Sequence, residues 1–159
     1  MRLCGLGLAL ALATITVAGA RAGSTRTAAQ RGEQPAKQED PARAIAQIVR
    51  ELQMDLEGSS SAGVLSKIDR AKFDDYPRFQ DMVERLTRED TLRVFFRQTA
   101  NAVKEDTAQT ILDAEMEMIR KDSAVPAQRR KQQITVDLAR TSSGWKITNI
   151  TPREFFQPL

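Results

Sequence analysis

From about residue 90 onward the chain alternates apolar and polar residues at period two. Leu92, Val94 and Phe96 share one face, continued by Gln98, Ala100 and Ala102; Arg93, Phe95, Arg97 and Thr99 take the other. Leu112, Ala114, Met116 and Met118 then alternate with Asp113, Glu115 and Glu117, and Ile134, Val136 and Leu138 with Gln133, Thr135 and Asp137. Such alternation predicts strands with one face on a core and the other in water. Thr141-Ser142-Ser143-Gly144 turns the chain into a fourth strand starting at Trp145 and Ile147. The apolar parity shifts between Ile147 and Ile150, which predicts a bulge near Asn149.

Before the strands the period lengthens to that of a helix. Asp40-Pro41 reads as an N-cap with proline at the first helical position, followed by Ile45, Ile48, Val49, Leu52 and Leu56 at helical spacing and a stop at Gly58. Ser60 or Ser61 caps a short second helix carrying Val64, Leu65 and Ile68. A third opens at Tyr76-Pro77, with Asp75 as its cap and Phe79, Met82, Val83 and Leu86 as its stripe. Met54, Met82, Met116 and Met118 are expected as core filler. Three helices followed by an antiparallel meander of about four strands make an α+β domain over residues 41–159.

The register follows from the charges. A three-residue turn at 104–106 sets Arg97 opposite Asp113, Arg93 opposite Glu117 and Val94 opposite Met116, and keeps every apolar residue on one face. Opposite charges directly across a strand pair contribute a few tenths to about 1 kcal/mol each. The acidic row Asp113, Glu115 and Glu117 is thereby accounted for as the charged outer face of a strand. Steps of about 6.6 Å along one face are too long for a single metal ion.

The start of the chain changes the picture. Met1-Arg2, an uncharged run from Leu3 to Ala20 and Ala20-Arg21-Ala22 describe a secretory signal over residues 1–22. The run is long enough that an uncleaved membrane anchor is the alternative. Residues 23–40 hold no large apolar side chain and are expected to be a flexible leader. Cys4 is the one cysteine and lies inside the signal. An exported, processed chain then has no thiol, and its 22 basic against 21 acidic residues call for neither nucleic acid nor an anionic membrane. Arg129-Arg130-Lys131 reads as a solvated strand start, and Asn149-Ile150-Thr151 as a chance match to the glycosylation pattern.

Candidate chemistry is sparse. The chain has no histidine, which removes the commonest general base and metal ligand and every triad built on it. No phosphate-cradling glycine loop, dinucleotide fingerprint, calcium loop or paired Cys-x-x-Cys occurs, so neither cofactor nor metal is expected. The informative residues are polar ones at inward positions. Gln98 follows Val94 and Phe96, while Gln132 and Arg140 flank the third strand's apolar stripe. Buried polar groups need partners or a ligand, and a cleft between helices and sheet would supply the latter. That cleft would be lined by Tyr76, Phe79, Phe96, Gln98, Met116, Gln132, Arg140 and Trp145, the last two placed for a cation–π contact.

The element order and the ending Gly144-Trp145-Lys146-Ile147 resemble the NTF2-like superfamily in its SnoaL-like, steroid-isomerase-like bacterial form, over roughly residues 41–157. The resemblance implies a cone with a pocket between helices and a curved sheet, and often a homodimer packed through the sheets. Some members are isomerases, dehydratases or cyclases using Asp, His or Tyr in that pocket; many bind without catalysis or act as scaffolds. The catalytic members' His has no counterpart here, and Asp137 points outward by parity. The closing Pro152-Arg153-Glu154-Phe155-Phe156 departs from the general pattern.

Three functional expectations follow: an exported non-catalytic domain holding a small apolar ligand or a protein partner in or beside the cone; an isomerase- or lyase-type enzyme using a carboxylate base with Tyr76 or Gln98 as hydrogen-bond donor; and a dimeric assembly module whose pocket is filled. If residues 23–40 form a leader with no packing role, deleting them leaves the melting temperature nearly unchanged in a calorimetric scan; a drop of several degrees would show that they pack on the domain.

Overall fold

Asp40 caps the first helix of a computed structural model that describes residues 40–159 except Ser123 and Val125. The expected signal, and the leader up to residue 39, lie outside the described residues. Asp40 Oδ1 accepts from the Ala42 amide at 3.1 Å, and Pro41 opens α1 (Pro41–Glu57). Ala44, Ile45, Val49, Leu52 and Leu56 form its buried stripe, while Met54, expected in the core, is 59% exposed on the far side. Ser60 Oγ caps α2 (Ser61–Ser66) through the Gly63 amide. Ile68 falls outside this helix: Asp69 N donates to the Ile147 carbonyl and Ile147 N to that of Lys67, both at 2.8 Å, so the segment pairs with a strand instead. α3 spans Tyr76–Glu89; Asp75 stands at its cap position with φ 49° but makes no capping bond from its side chain. Among the described residues no helix is long and apolar enough to cross a membrane.

The strands are β1 (Asp90–Lys104), β2 (Thr107–Arg120), β3 (Gln128–Thr141) and β4 (Gly144–Thr151), antiparallel in the order β1-β2-β3-β4. Gly144 closes the last hairpin at φ +106°, a conformation that favours glycine. The expected register holds through the body of the first pair: Arg97 sits opposite Asp113 with 2.5 Å between charges, and Arg93 opposite Glu117 at 3.4 Å. It arises differently from the expectation. The turn is two residues, Glu105-Asp106, and a bulge at Thr99 absorbs the difference. Beyond the bulge the parity flips, so Ala100 and Ala102, expected inward, give way to Asn101 and Val103, which pair with Thr110 and Ala108. A second bulge at Thr148 matches the one expected near Asn149.

The helices cover one face of the sheet. Leu92, Val94, Phe96, Leu112, Met116, Met118, Ile134, Val136, Leu138, Trp145, Ile147 and Ile150 are all buried there against α1 and α3. After Pro152 the chain turns back as a 3-10 helix, Arg153–Phe156, and inserts two fully buried rings. Phe156 meets Phe79 edge-on at 5.5 Å, Phe155 reaches Phe96 at 6.1 Å, and the two contact each other at 5.2 Å. Arg130 clamps this segment by donating to the carbonyls of Glu154, Phe155 and Gln157 at 2.7–2.8 Å. Arg130 is therefore a structural clamp and departs from the solvated role expected of its cluster. Arg120 donates to the Leu159 carbonyl and pairs with Glu89 at 2.6 Å and with the buried Asp90 at 3.2 Å.

Two predictions follow. Phe156→Ala empties a site at the centre of the core and is expected to cost about 3–5 kcal/mol in denaturant unfolding; a loss below about 1 kcal/mol would show that the 3-10 segment does not fill the cone. The second concerns acid. The hydrogen bond from Arg97, helped by Gln133, holds the Asp113 carboxyl below its ordinary 3.8, and that from Arg120 holds Glu89 below 4.5. Groups depressed on folding contribute stability above their unfolded pKa and lose it as pH falls through the folded one. The thermal midpoint is expected to fall in acid below those ordinary values, and by less in an Arg97→Ala, Arg120→Ala double variant. Equal acid sensitivity in the variant would show that neither pair contributes.

Candidate functional site

The eight residues proposed to line an interior cleft do not come together around a space. Tyr76, Phe79, Phe96, Met116 and Trp145 are buried core residues in contact with their neighbours. The Tyr76 hydroxyl is enclosed without a partner among the described residues, and the Arg70 guanidinium lies 5.2 Å over its ring. Gln98 is half-buried and spends its amide on Thr110 Oγ1 at 2.9 Å, beside the first bulge. Gln132 and Arg140 are exposed, eight residues apart on β3. The cation–π contacts among the described residues are those of Arg70 on Tyr76 and Arg153 on Phe73, so the expected Arg140–Trp145 contact does not form. Phe155 and Phe156 pack into the space between helices and sheet, against Phe96 and Phe79.

A cavity of about 970 Å³ lies instead beside the cone, open to solvent, at the edge of β4. Its floor is Thr148–Thr151. The bulge sets Thr148 and Asn149 side by side where a regular strand would send one of them inward, and Asp137 faces them from β3. Asp137 accepts from Gln109 Nε2 at 2.8 Å and from Asn149 Nδ2 at 3.3 Å. One wall is the exposed side of α3, where helical spacing aligns Arg78, Asp81, Met82 and Arg85, with Phe79 at its base. The other is the returning chain, Pro152 to Pro158. Arg153 joins wall to floor: it donates to Asn149 Oδ1 at 3.1 Å, lies 4.8 Å over the Phe73 ring and stands 3.8 Å from Asp74.

This groove offers guanidinium, carboxylate, amide and apolar surface in one place. Lys72, Arg78, Arg85 and Arg153 bring positive charge; Asp74, Asp75, Asp81, Asp137 and Glu154 bring negative. It can orient an amphiphilic molecule by paired charges and hydrogen bonds around an apolar patch of Phe79, Met82, Ile150 and Pro158. Among the described residues no cluster of ligating side chains is placed to hold a metal ion. The Asp113–Glu115–Glu117 row is taken up by Arg97, Arg93 and Arg129, the last 3.4 Å from Glu115.

Of the groove, the sequence reading reached Phe79 and the neighbourhood of Asn149. Arg78, Arg85, Arg153 and the role of Asp137 were missed. The signals available were the broken parity between Ile147 and Ile150 and the apolar pair Phe155-Phe156 after the last strand, which marks a returning segment.

No family model matches the chain, and no curated protein sequence matches it significantly. Solved structures do. A provisionally assigned aromatic ring hydroxylase from Novosphingobium aromaticivorans superposes with a TM-score of 0.62 at 14% identity, over 69% of this chain and 85% of its own. An NTF2-like superfamily protein from Salmonella enterica serovar Typhimurium gives 0.59 at 10% identity, over 68% and 86%. A provisionally assigned dehydratase of the NTF2-like family from Streptomyces avermitilis gives 0.56 at 13% identity, over 68% and 91%. At these identities the likeness speaks for architecture alone. Three helices on a four-stranded antiparallel sheet, superposing on these structures, give the chain the NTF2-like fold.

Proposed function

We propose that the chain is an exported, non-catalytic NTF2-like domain that binds a small amphiphilic ligand in the groove beside its cone. The observation that carries this reading is the exchange of spaces. Phe155 and Phe156 fill the interior, and the same returning segment builds a wall of a 970 Å³ groove outside it. That volume suits a small organic ligand. Arg78 and Arg85 suit an acidic head, while Phe79, Met82 and Ile150 suit an apolar body. The purely apolar ligand expected from the sequence fits this lining less well than an amphiphile does. The isomerase- or lyase-type reading loses its donors, because Tyr76 is enclosed in the core and Gln98 is bonded to Thr110.

The test is a titration with 8-anilinonaphthalene-1-sulfonate, an anionic amphiphile. Saturable fluorescence enhancement is expected, with the dissociation constant raised about tenfold or more by Arg78→Ala combined with Arg85→Ala, a loss of about 1.4 kcal/mol. Non-saturable binding, or saturable binding that the double variant leaves untouched, would reject the groove as the ligand site.

A further inference from the structure

The two edges of this sheet are finished differently. The β4 edge is bridged at Ile147 by Lys67–Asp69, and Pro152, without an N–H, follows its end. The β1 edge is closed only over its first half. There the outward amide of Val94 donates to Glu57 Oε1 at 3.0 Å and that of Phe96 to Gln53 Oε1 at 3.3 Å, both from α1. The same row of α1 continues with Arg50 and Ala46. Arginine has only donors and alanine no polar group, so neither can accept from an amide.

Among the described residues the edge beyond Phe96 is therefore uncapped. In an antiparallel pair every second residue turns both its N–H and its C=O away from its partner. The alternation that faces Val94 and Phe96 outward continues to Gln98, and the bulge at Thr99 carries it to Asn101 and Val103. Residues 99–104 are all exposed, and Val103 is 42% so. A free strand edge whose side chains from Gln98 to Val103 carry no charge is a template for strand pairing.

We propose that two copies of this chain pair through the 98–104 edge of β1, antiparallel about a twofold axis at Ala102, making one eight-stranded sheet. The register follows from the outward residues. With the axis at Ala102, Asn101 faces Val103 of the second copy and the reverse, a pairing of about four main-chain hydrogen bonds. Ala100 then faces Lys104, so no like charges meet. The hairpin tip Glu105-Asp106 reaches Gln98 and Arg97 of the second copy, placing acid beside base. It stops there because the next outward amide, Phe96, is already taken by Gln53. The contact is isologous, each copy's β1 edge being taken up by the other's, so pairing ends at a dimer and does not run on as a fibre. The outer sheet face is the less suited surface: its charges are spent on cross-strand pairs, and Phe95 is the one large apolar residue exposed at its middle.

The experiment uses the chain as recovered from producing cells, with Cys4→Ser as background. Analytical ultracentrifugation should give twice the chain mass, and Val103→Pro should raise the dimer dissociation constant about tenfold or more, since it removes one outward N–H from each copy. The fold does not use that N–H, so the circular dichroism spectrum should be unchanged. Independently, Ala102→Cys should form a disulfide with itself on mild oxidation, because residues facing across the axis lie about 4.5 Å apart at Cα in this register, within disulfide range. Phe95→Cys should not cross-link. A monomer at every concentration, or a dimer that cross-links through Phe95→Cys and not through Ala102→Cys, would overturn the proposal. Neither result bears on the groove, which lies at the opposite edge of the sheet.

Discussion

The insertion of Phe155 and Phe156 beneath the sheet is the contact on which the rest of this molecule depends. Two adjacent aromatic side chains on a one-turn 3-10 helix meet Phe79 from the third helix and Phe96 from the first strand. Adjacent residues on such a turn point in different directions, which lets one ring face helix and the other face strand. The main chain that delivers them has no ladder partner, and its carbonyls would be costly to leave unmet. Arg130 resolves this by offering its guanidinium to three of them. A residue that looks like surface charge in the sequence is thus required by the aromatic pair it secures.

Filling the cone also sets where binding can occur. In a cone with an open interior, helices and sheet enclose the ligand. Here the same elements enclose a core, and a concave surface lies along the β4 edge. The returning segment that closes one space is a wall of the other, so the two properties are linked through one stretch of chain. Arg153 sits at the joint, bonded to Asn149 on the floor and stacked on Phe73.

Much of the architecture was legible because it rests on local periodicity. The alternation of Leu92, Val94 and Phe96 with charged neighbours fixes a face, and opposite charges at Arg97 and Asp113 fix a register. Even the Thr148 bulge left a trace as broken parity between Ile147 and Ile150. The failures share one cause. The Thr99 bulge has no such trace, because Ala100 and Ala102 are small enough to read as inward or outward. The tail left only the apolar pair itself: Phe155 and Phe156 follow no period, and their destination is a contact with residues about sixty to eighty positions earlier. The aromatic and methionine residues expected around a pocket stand in packed core for that reason. Tyr76, Phe96, Met116 and Trp145 were rightly placed beneath the sheet, but whether that space is cavity or core is decided by a segment outside the repeating pattern.

The two bulges give the sheet its division of labour. Each lies where regular pairing passes from the helix-covered core to a free surface. At Thr99 the extra residue shifts the inward set from small alanines to Asn101 and Val103 and carries β1 past the reach of Gln53. At Thr148 it brings Thr148 and Asn149 together over Asp137 and re-aims the edge into the groove. A bulge increases local twist and bends its strand, so a pair at opposite edges curves the sheet around the helices between them. The geometry that wraps the core thereby also turns two short stretches of backbone outward, one into a charged groove and one along an uncapped edge. The surfaces available for recognition are consequences of closing the cone over a filled interior.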